Sequence, residues 1–212
     1  EPLKSGTELY KNDEVRVWTL DGQVVIASIT AKLHLISPAV TEGLLKDIFR
    51  ETLGREIPTP FPRLHYDEAM EKYGIDKPDL RFGLEIRDFS PAFKGCGFRV
   101  FESMLESGQR IRGIVVPGAA RYSRKELDDL GALAIEMGAK GLVWQRVGEP
   151  GAHDSSIKNI ISQETMDKVA SLHPAKSGDL IVLVGGPDYM SSKALARVRL
   201  FLGEKENLID KN

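Results

Sequence analysis

Along residues 13–36, DEVRVWTLDGQVVIASITAKLHLI, two β-branched runs flank Asp21-Gly22, and this spacing predicts a β-hairpin because Gly accepts positive φ at the turn. Ser37-Pro38 then suits a helix start. Val40, Leu44, Leu45, Ile48, Phe49 and Leu53 recur at helical spacing until Gly54, which predicts one amphipathic helix. In IPTPFPR (57–63) the alternate prolines remove backbone donors and force an extended path. Tyr66 to Tyr73 (YDEAMEKY) reads as a short helix with Met70 and Tyr73 on one side, closed by Gly74. After a loop pinned by Pro78, FGLEIRDF alternates Phe82, Leu84 and Ile86 on one face of an expected strand.

Farther on, CGFRVFESML and QRIRGIVVPG flank Glu106-Ser107-Gly108, and the pattern predicts an antiparallel hairpin. Ser123 with Glu126 three residues later is a capping-box pattern, and Leu127, Leu130, Ala134 and Met137 continue one apolar helical face. GLVWQRV predicts a strand, residues 148–156 a polar turn region, and 162–172 a helix capped by Ser162. DLIVLVGG reads as a buried strand, followed by a helix from Ser191 to Glu204 capped by Ser191 or Ser192. Helices separate strands, yet hairpins also occur. The expected fold class is therefore α+β, a mixed and largely antiparallel sheet covered by helices, plus an N-terminal β-hairpin and helix. Residues 1–82 form the hairpin, helix and proline-rich connection, and 83–212 the second domain.

Composition narrows the function classes. With 212 residues, 42% hydrophobic and 28% charged, the chain has the balance of a folded protein with a core. Its longest apolar runs, such as Leu180 to Val184, fall far short of the roughly 20 residues of a membrane helix. The start, EPLKSGTELY, has no basic-then-apolar signal and no initiator Met, so the chain is read as cytoplasmic and as a piece of a longer polypeptide. Cys96 alone excludes an internal disulfide and any multi-thiolate zinc site, and it reads as a small packing residue. A net charge of −2 excludes indiscriminate attraction of nucleic acid, so any RNA contact has to be local.

Few positions carry a chemical signal. Arg110, Arg112, Arg121, Arg124 and Lys125 surround the VPGAARYS turn beside Tyr122. They read either as a small phosphate-contacting RNA patch or as the wet face of a hairpin, since Glu126, Asp128 and Asp129 follow at once. Lys193, Arg197 and Arg199 read as the solvated face of the last helix. His34, His65, His153 and His173 lack ligand spacing, and no metal is assigned. Val184-Gly185-Gly186-Pro187 lacks a phosphate-loop pattern and is read as a strand-to-helix turn, and no Ser, His and Asp arrangement has a nucleophile motif.

The string IPTPFPRLHYDEAMEKYGIDKPDLRFGLEI at 57–86 resembles the stretch leading into the GAD insertion of bacterial-type aspartyl-tRNA synthetases: the proline ladder, EAMxxYG and DKPDLRF stand together in order. The likeness runs on through RIRGIVVPGAARYSRKELDDL, MGAKGLVWQRV, GDLIVLVGG and ALARVRLFLGEKENLID, covering about residues 40–210. It implies a GAD-like second domain from residue 83. It also implies a parent enzyme that uses ATP and Mg²⁺ to charge tRNA with aspartate, and as partners tRNA and the rest of the synthetase catalytic domain, with no membrane and no DNA. By the same resemblance Asp76, Lys77, Asp79 and Arg81 are candidates for a loop that orders the substrate pocket, while their composition by itself favours local turn capping by Asp76 and Asp79 with Arg81 pairing to a neighbour.

The predicted helix TEGLLKDIFRETLG (41–54) also resembles the family's segment before the insertion, but residues 1–37 do not match what precedes that helix in the family. The class II motif Phe-Arg-x-Glu is not met by Phe49-Arg50-Glu51-Thr52, where Thr52 stands in place of the carboxylate, and no Gly-rich third motif ending in Arg is found. The expectation is an isolated chain with no catalytic residue and no cofactor of its own, inactive in adenylate formation. The alternative is a stand-alone GAD module that binds tRNA or serves as a spacer, as in a subunit of tRNA-dependent amidotransferases.

Overall fold

A computed structural model describes residues 8–11, 15–20, 23–29 and 38–209. The chain divides into two compact units, Glu1–Arg63 and Leu64–Asn212. Residues 64–82, assigned above to the connecting segment, pack within the second unit.

In the first unit, β1 (Glu8–Lys11), β2 (Val15–Leu20) and β3 (Gln23–Ile29) form an antiparallel sheet in that order. The expected hairpin is β2 with β3, in register Leu20↔Gln23 and Trp18↔Val25, while its Asp21-Gly22 turn lies outside the described residues. The sequence reading missed β1. Helix α1 (Pro38–Leu53) spans the range its periodicity predicts and ends at Gly54, whose N–H donates to the Arg50 carbonyl at 3.0 Å. Its apolar residues, Val40, Leu44 and Leu53 among them, are exposed. The proline-rich stretch that follows carries no helix.

The second unit opens with α2 (Tyr66–Tyr73), stopped by Gly74 in the left-handed conformation at φ 72°. A Cβ there would also lie 2.3 Å from the Ser192 carbonyl oxygen, so close packing and backbone both require glycine. Five strands follow: β4 (Ile86–Asp88), β5 (Arg110–Val116), β6 (Val143–Arg146), β7 (Asp154–Ser155) and β8 (Leu180–Gly186). They are ordered β4-β5-β8-β6-β7, and every described pair is antiparallel.

Strand β8 is central, with both faces covered, which explains its unbroken apolar run. Leu180, Val182 and Val184 pack with Leu127, Leu130, Leu195 and Val198 of the helices α4 (Arg124–Glu136) and α6 (Asp188–Lys205). Ile181 and Leu183 face the other way, to Phe101 and Met104 of α3 (Arg99–Glu106) and Met166 and Val169 of α5 (Gln163–Leu172). Two one-turn 3-10 helices, Ser90–Phe93 and Ala119–Arg121, complete the unit. The capping box opens α4 as the sequence predicts, with Ser123 and Glu126 each bonding the other's backbone N–H.

Four local expectations change. CGFRVFESML does not pair with β5, because it contains helix α3: Phe98, Phe101, Met104 and Leu105 recur at helical spacing, and Gly108, just past the C-cap Ser107, donates to the Leu105 carbonyl. FGLEIRDF yields only the three residues of β4, since Leu84 has φ 61°, which interrupts an extended strand. The polar region 148–156 contains the short β7, paired with β6. Helix α6 begins three residues early, at Asp188 after Pro187, so Ser191 and Ser192 are buried within the helix and do not cap it.

Candidate functional site

On β5, Arg110 and Arg112 share one face because side chains alternate along a strand. Arg112 is buried. Its Nη1 donates to Ser192 Oγ at 2.6 Å, and its Nη2 donates to the carbonyls of Met70 and Glu71. Burial pushes its guanidinium below the usual arginine value. Arg110, nearer the surface, grips Glu71 with both Nη atoms at 2.8 and 2.9 Å and donates from Nε to Asp188 Oδ1 at 2.9 Å. That bidentate hydrogen bonding pulls the Glu71 carboxyl below its ordinary value, and the Arg110 bond does the same for Asp188. The pair ties α2, β5 and α6 together, and Arg112 has no surface to offer a ligand.

Arg121, Arg124 and Lys125 follow the opposite end of the seven-residue β5, so the five cations of the expected patch separate into two groups. Arg121 Nη2 donates to Glu206 Oε2 at 2.6 Å, while the Tyr122 hydroxyl donates to Glu206 Oε1 at 2.6 Å. Burial, followed by that bond to Glu206, pushes the Tyr122 phenol well above its usual value. Arg124 pairs with Asp128 at 3.0 Å and lies 5.8 Å from the centre of the Trp144 ring. Lys205 bonds Glu126 at 2.7 Å with its ammonium 4.3 Å from the Tyr122 ring centre. Arg121, Arg124 and Lys125 are all exposed, interleaved with acids.

The 76–81 loop also divides. Asp79 accepts the Arg81 N–H, Nε and Nη2, the last at 2.7 Å, and these bonds hold its carboxyl down at about 2. Asp76 and Lys77 are exposed and stand apart from this pair. The residue that shapes the segment is Arg199 on α6. Its Nε donates to the Leu84 carbonyl at 3.1 Å, and its Nη2 meets the carbonyls of Asp79, Phe82 and Gly83 at 2.8–2.9 Å. Arg199 was expected on a solvated face, yet it is 1% exposed. The missed signal is spacing: Leu195, Arg199 and Leu202 lie at i, i+4 and i+7, which puts the arginine on the apolar face.

Between α2 and α6 lies an open groove of about 450 Å³. Met70, Ile75, Met137, Ala196 and Leu200 wall it, Tyr66 and Tyr189 stand at its rim, and Lys193, Arg197 and Asp76 complete the lining. None of these positions except Asp76 belongs to the expected sites.

Elsewhere, polar side chains hold turns. His153 is buried, accepting the Gly148 N–H at Nδ1 (3.0 Å) with Nε2 3.0 Å from Asp167, which also accepts the Gly151 N–H. Cys96 is partly buried against Phe101 and its neighbours, and that burial raises its thiol. Val184-Gly185-Gly186-Pro187 joins β8 to α6 directly. Among the described residues no three His, Cys, Asp or Glu side chains come together in a way that could hold a metal ion, and no helix is long and apolar enough to cross a membrane.

Compared with known proteins, residues 101–195 match the GAD domain family. The chain is 43% identical over 173 residues to an aspartate–tRNA(Asp/Asn) ligase of Thermoanaerobacter sp., covering 82% of this chain and 29% of the relative. It is 42% identical over 171 residues to an aspartate–tRNA ligase of Clostridium perfringens and 44% over 171 residues to an aspartate–tRNA(Asp/Asn) ligase of Moorella thermoacetica. In both cases the match covers 81% of this chain and 28% of the relative. The chain thus spans under a third of the length of these relatives.

Proposed function

From a chain that carries a GAD domain and matches aspartate–tRNA ligases over four-fifths of its length, we propose that it is the GAD-bearing part of such a ligase, folded beside a catalytic body that lies outside these residues. The observation that carries this reading is the extent of the match, 82% of this chain against 29% of the relative. Within the proposed parent, ATP, Mg²⁺ and aspartate bind the catalytic body, where arginine and metal neutralise the charge that develops on the α-phosphate. Four arginines of this chain are already engaged within it. Arg112 and Arg199 are buried on carbonyl oxygens, Arg110 is held by Glu71 and Asp188, and Arg50 on α1 pairs with Asp47 at 2.8 Å. The parent is a cytoplasmic enzyme of protein synthesis.

Aspartate-dependent ATP–pyrophosphate exchange tests the reading. The isolated chain gives no exchange and the full reading frame gives it. Turnover by the isolated chain overturns the assignment of catalysis elsewhere, and a full reading frame without exchange favours the stand-alone module. The tRNA partner belongs to the same proposal: Arg121, Arg124 and Lys125 are the exposed members of the expected patch and are the ones assigned to the RNA backbone.

A further inference from the structure

We infer that the groove between α2 and α6 is a docking surface for an apolar, carboxylate-bearing segment of the same parent polypeptide outside residues 1–212. The inference rests on the ligase reading above. The groove combines three features. Its walls are apolar and adaptable, lined by Met70, Met137, Ile75 and Leu200, and methionine-rich surfaces conform well to a packed side chain. Its volume of about 450 Å³ is that of a binding cleft. Two large aromatics stand in water at its edge, Tyr66 at 63% and Tyr189 at 70% exposure, where interface aromatics stand before a partner covers them.

Charge selects the occupant. Lys193 and Arg197 are exposed one helical turn apart on α6, line the groove, and form no ion pair among the described residues. Arg110, Arg112 and Arg199, which lie on the same face of the sheet, are by contrast engaged by protein acceptors. Two free cations beside apolar walls fit a segment that inserts an apolar side chain and places a carboxylate over α6. A nucleic-acid backbone fits less well. Its run of phosphates needs many donors, whereas the walls are mostly apolar side chains that offer none and Asp76 leaves only Lys193 and Arg197 as cations in the lining, enough for a single carboxylate. The relatives extend well beyond this chain, which matches 29% of the first of them, so the proposed parent contains ample polypeptide to supply the segment.

The test uses the full-length polypeptide, first assayed for aspartate-dependent ATP–pyrophosphate exchange, so that failure of the ligase reading shows separately. Tyr189 is exposed and outside every ion pair, and Tyr189→p-benzoylphenylalanine places a photo-crosslinker at the rim. The expected adduct joins Tyr189 to a peptide of the same polypeptide beyond residues 1–212 that carries Asp or Glu among apolar residues. Reversing both cations, Lys193→Glu with Arg197→Glu, lowers its yield at least about fivefold, whereas Lys94→Glu, away from the groove, leaves it unchanged. Circular dichroism checks that each variant is folded. An adduct with tRNA, an adduct between two copies, no adduct, or a yield indifferent to the double reversal overturns the inference.

Discussion

The guanidinium of Arg199 sits 4.1 Å from the centre of the Phe82 ring while donating a hydrogen bond to the Phe82 carbonyl, so one side chain of the last helix holds both face and backbone of the segment that enters the sheet. A buried cation is stable only when its donors are satisfied, and here the carbonyls of Asp79, Phe82, Gly83 and Leu84 do that. The arrangement anchors residues 79–84 to α6 through Phe82, the one buried side chain of the segment.

Replacing that cation by a similar apolar shape, Arg199→Met, strands the carbonyls it served. The expected loss is about 2–4 kcal/mol of stability. Urea unfolding measures it, with Trp18→Phe as background so that Trp144 reports the second unit alone. Amide exchange at residues 79–84 accelerates in the same variant. A change below the error of the unfolding curve contradicts the clamp.

Gly203 on α6 faces the same ring, and a Cβ built there falls 2.6 Å from Phe82 Cε2 and Cζ. In an open helix Gly→Ala gains about 1 kcal/mol. Here the buried ring has no room to withdraw, so Gly203→Ala destabilises by about 1–3 kcal/mol. Phe82→Leu in the same chain relieves part of the clash, and a double-mutant cycle detects the coupling. Stabilisation by Gly203→Ala alone shows that the ring yields.

Acid weakens the second unit through its depressed carboxyls. Bonds from Lys205 and then from Ser123 hold Glu126 at about 2 against an ordinary 4.5, and Asp79, bonded by Arg81, lies at about 2 against 3.8. Because these folded values are lowered, their contribution is complete above the ordinary values and is lost as pH falls from about 5 towards 2. Thermal midpoints measured across that interval fall with pH. Glu126→Gln lowers the midpoint at pH 7, and its difference from the parent narrows as pH falls towards 2, whereas a constant difference excludes the linkage.

Tyr122 and Arg121 share the Glu206 carboxylate, one oxygen each. Tyr122→Phe removes a single donor from a partly buried acceptor that keeps Arg121, so the expected cost is about 1 kcal/mol, read as a shift of the urea midpoint at constant slope.

For the RNA-backbone assignment, Arg121→Ala with Arg124→Ala weakens tRNA binding by the full-length polypeptide and reduces the slope of log affinity against log salt by about 2, since each released phosphate contact contributes roughly one unit. Binding and slope both unchanged reject these two residues as phosphate contacts.

Much of the framework is legible in the residues themselves. Helical periodicity places α1 and α4, the Ser123–Glu126 box marks where α4 begins, Gly74 marks where α2 ends, and the apolar run of β8 announces a strand covered on both faces. The stretch 99–106 reads as a strand from its own residues, because its phenylalanines and Val100 suit a strand and Glu106-Ser107-Gly108 suits a turn, while the helical spacing of its buried residues decides only once Phe101 and Met104 have a sheet to pack against. The candidate site was less legible: Arg112 and Arg199 look like surface charges by composition.

The sequence by itself determined the α+β alternation, most element ends and the likeness to the GAD region of aspartyl-tRNA synthetases, because period, caps and turn residues act over a few neighbouring positions. Tertiary structure alone decided which arginines became core, that five clustered cations separate to opposite ends of β5, and that α2 and α6 leave an apolar groove between them. The physical reason is reach. A guanidinium acquires its role from its acceptors, and those of Arg199 are carbonyls 115 to 120 residues away along the chain, brought to it only when the helices close over the sheet.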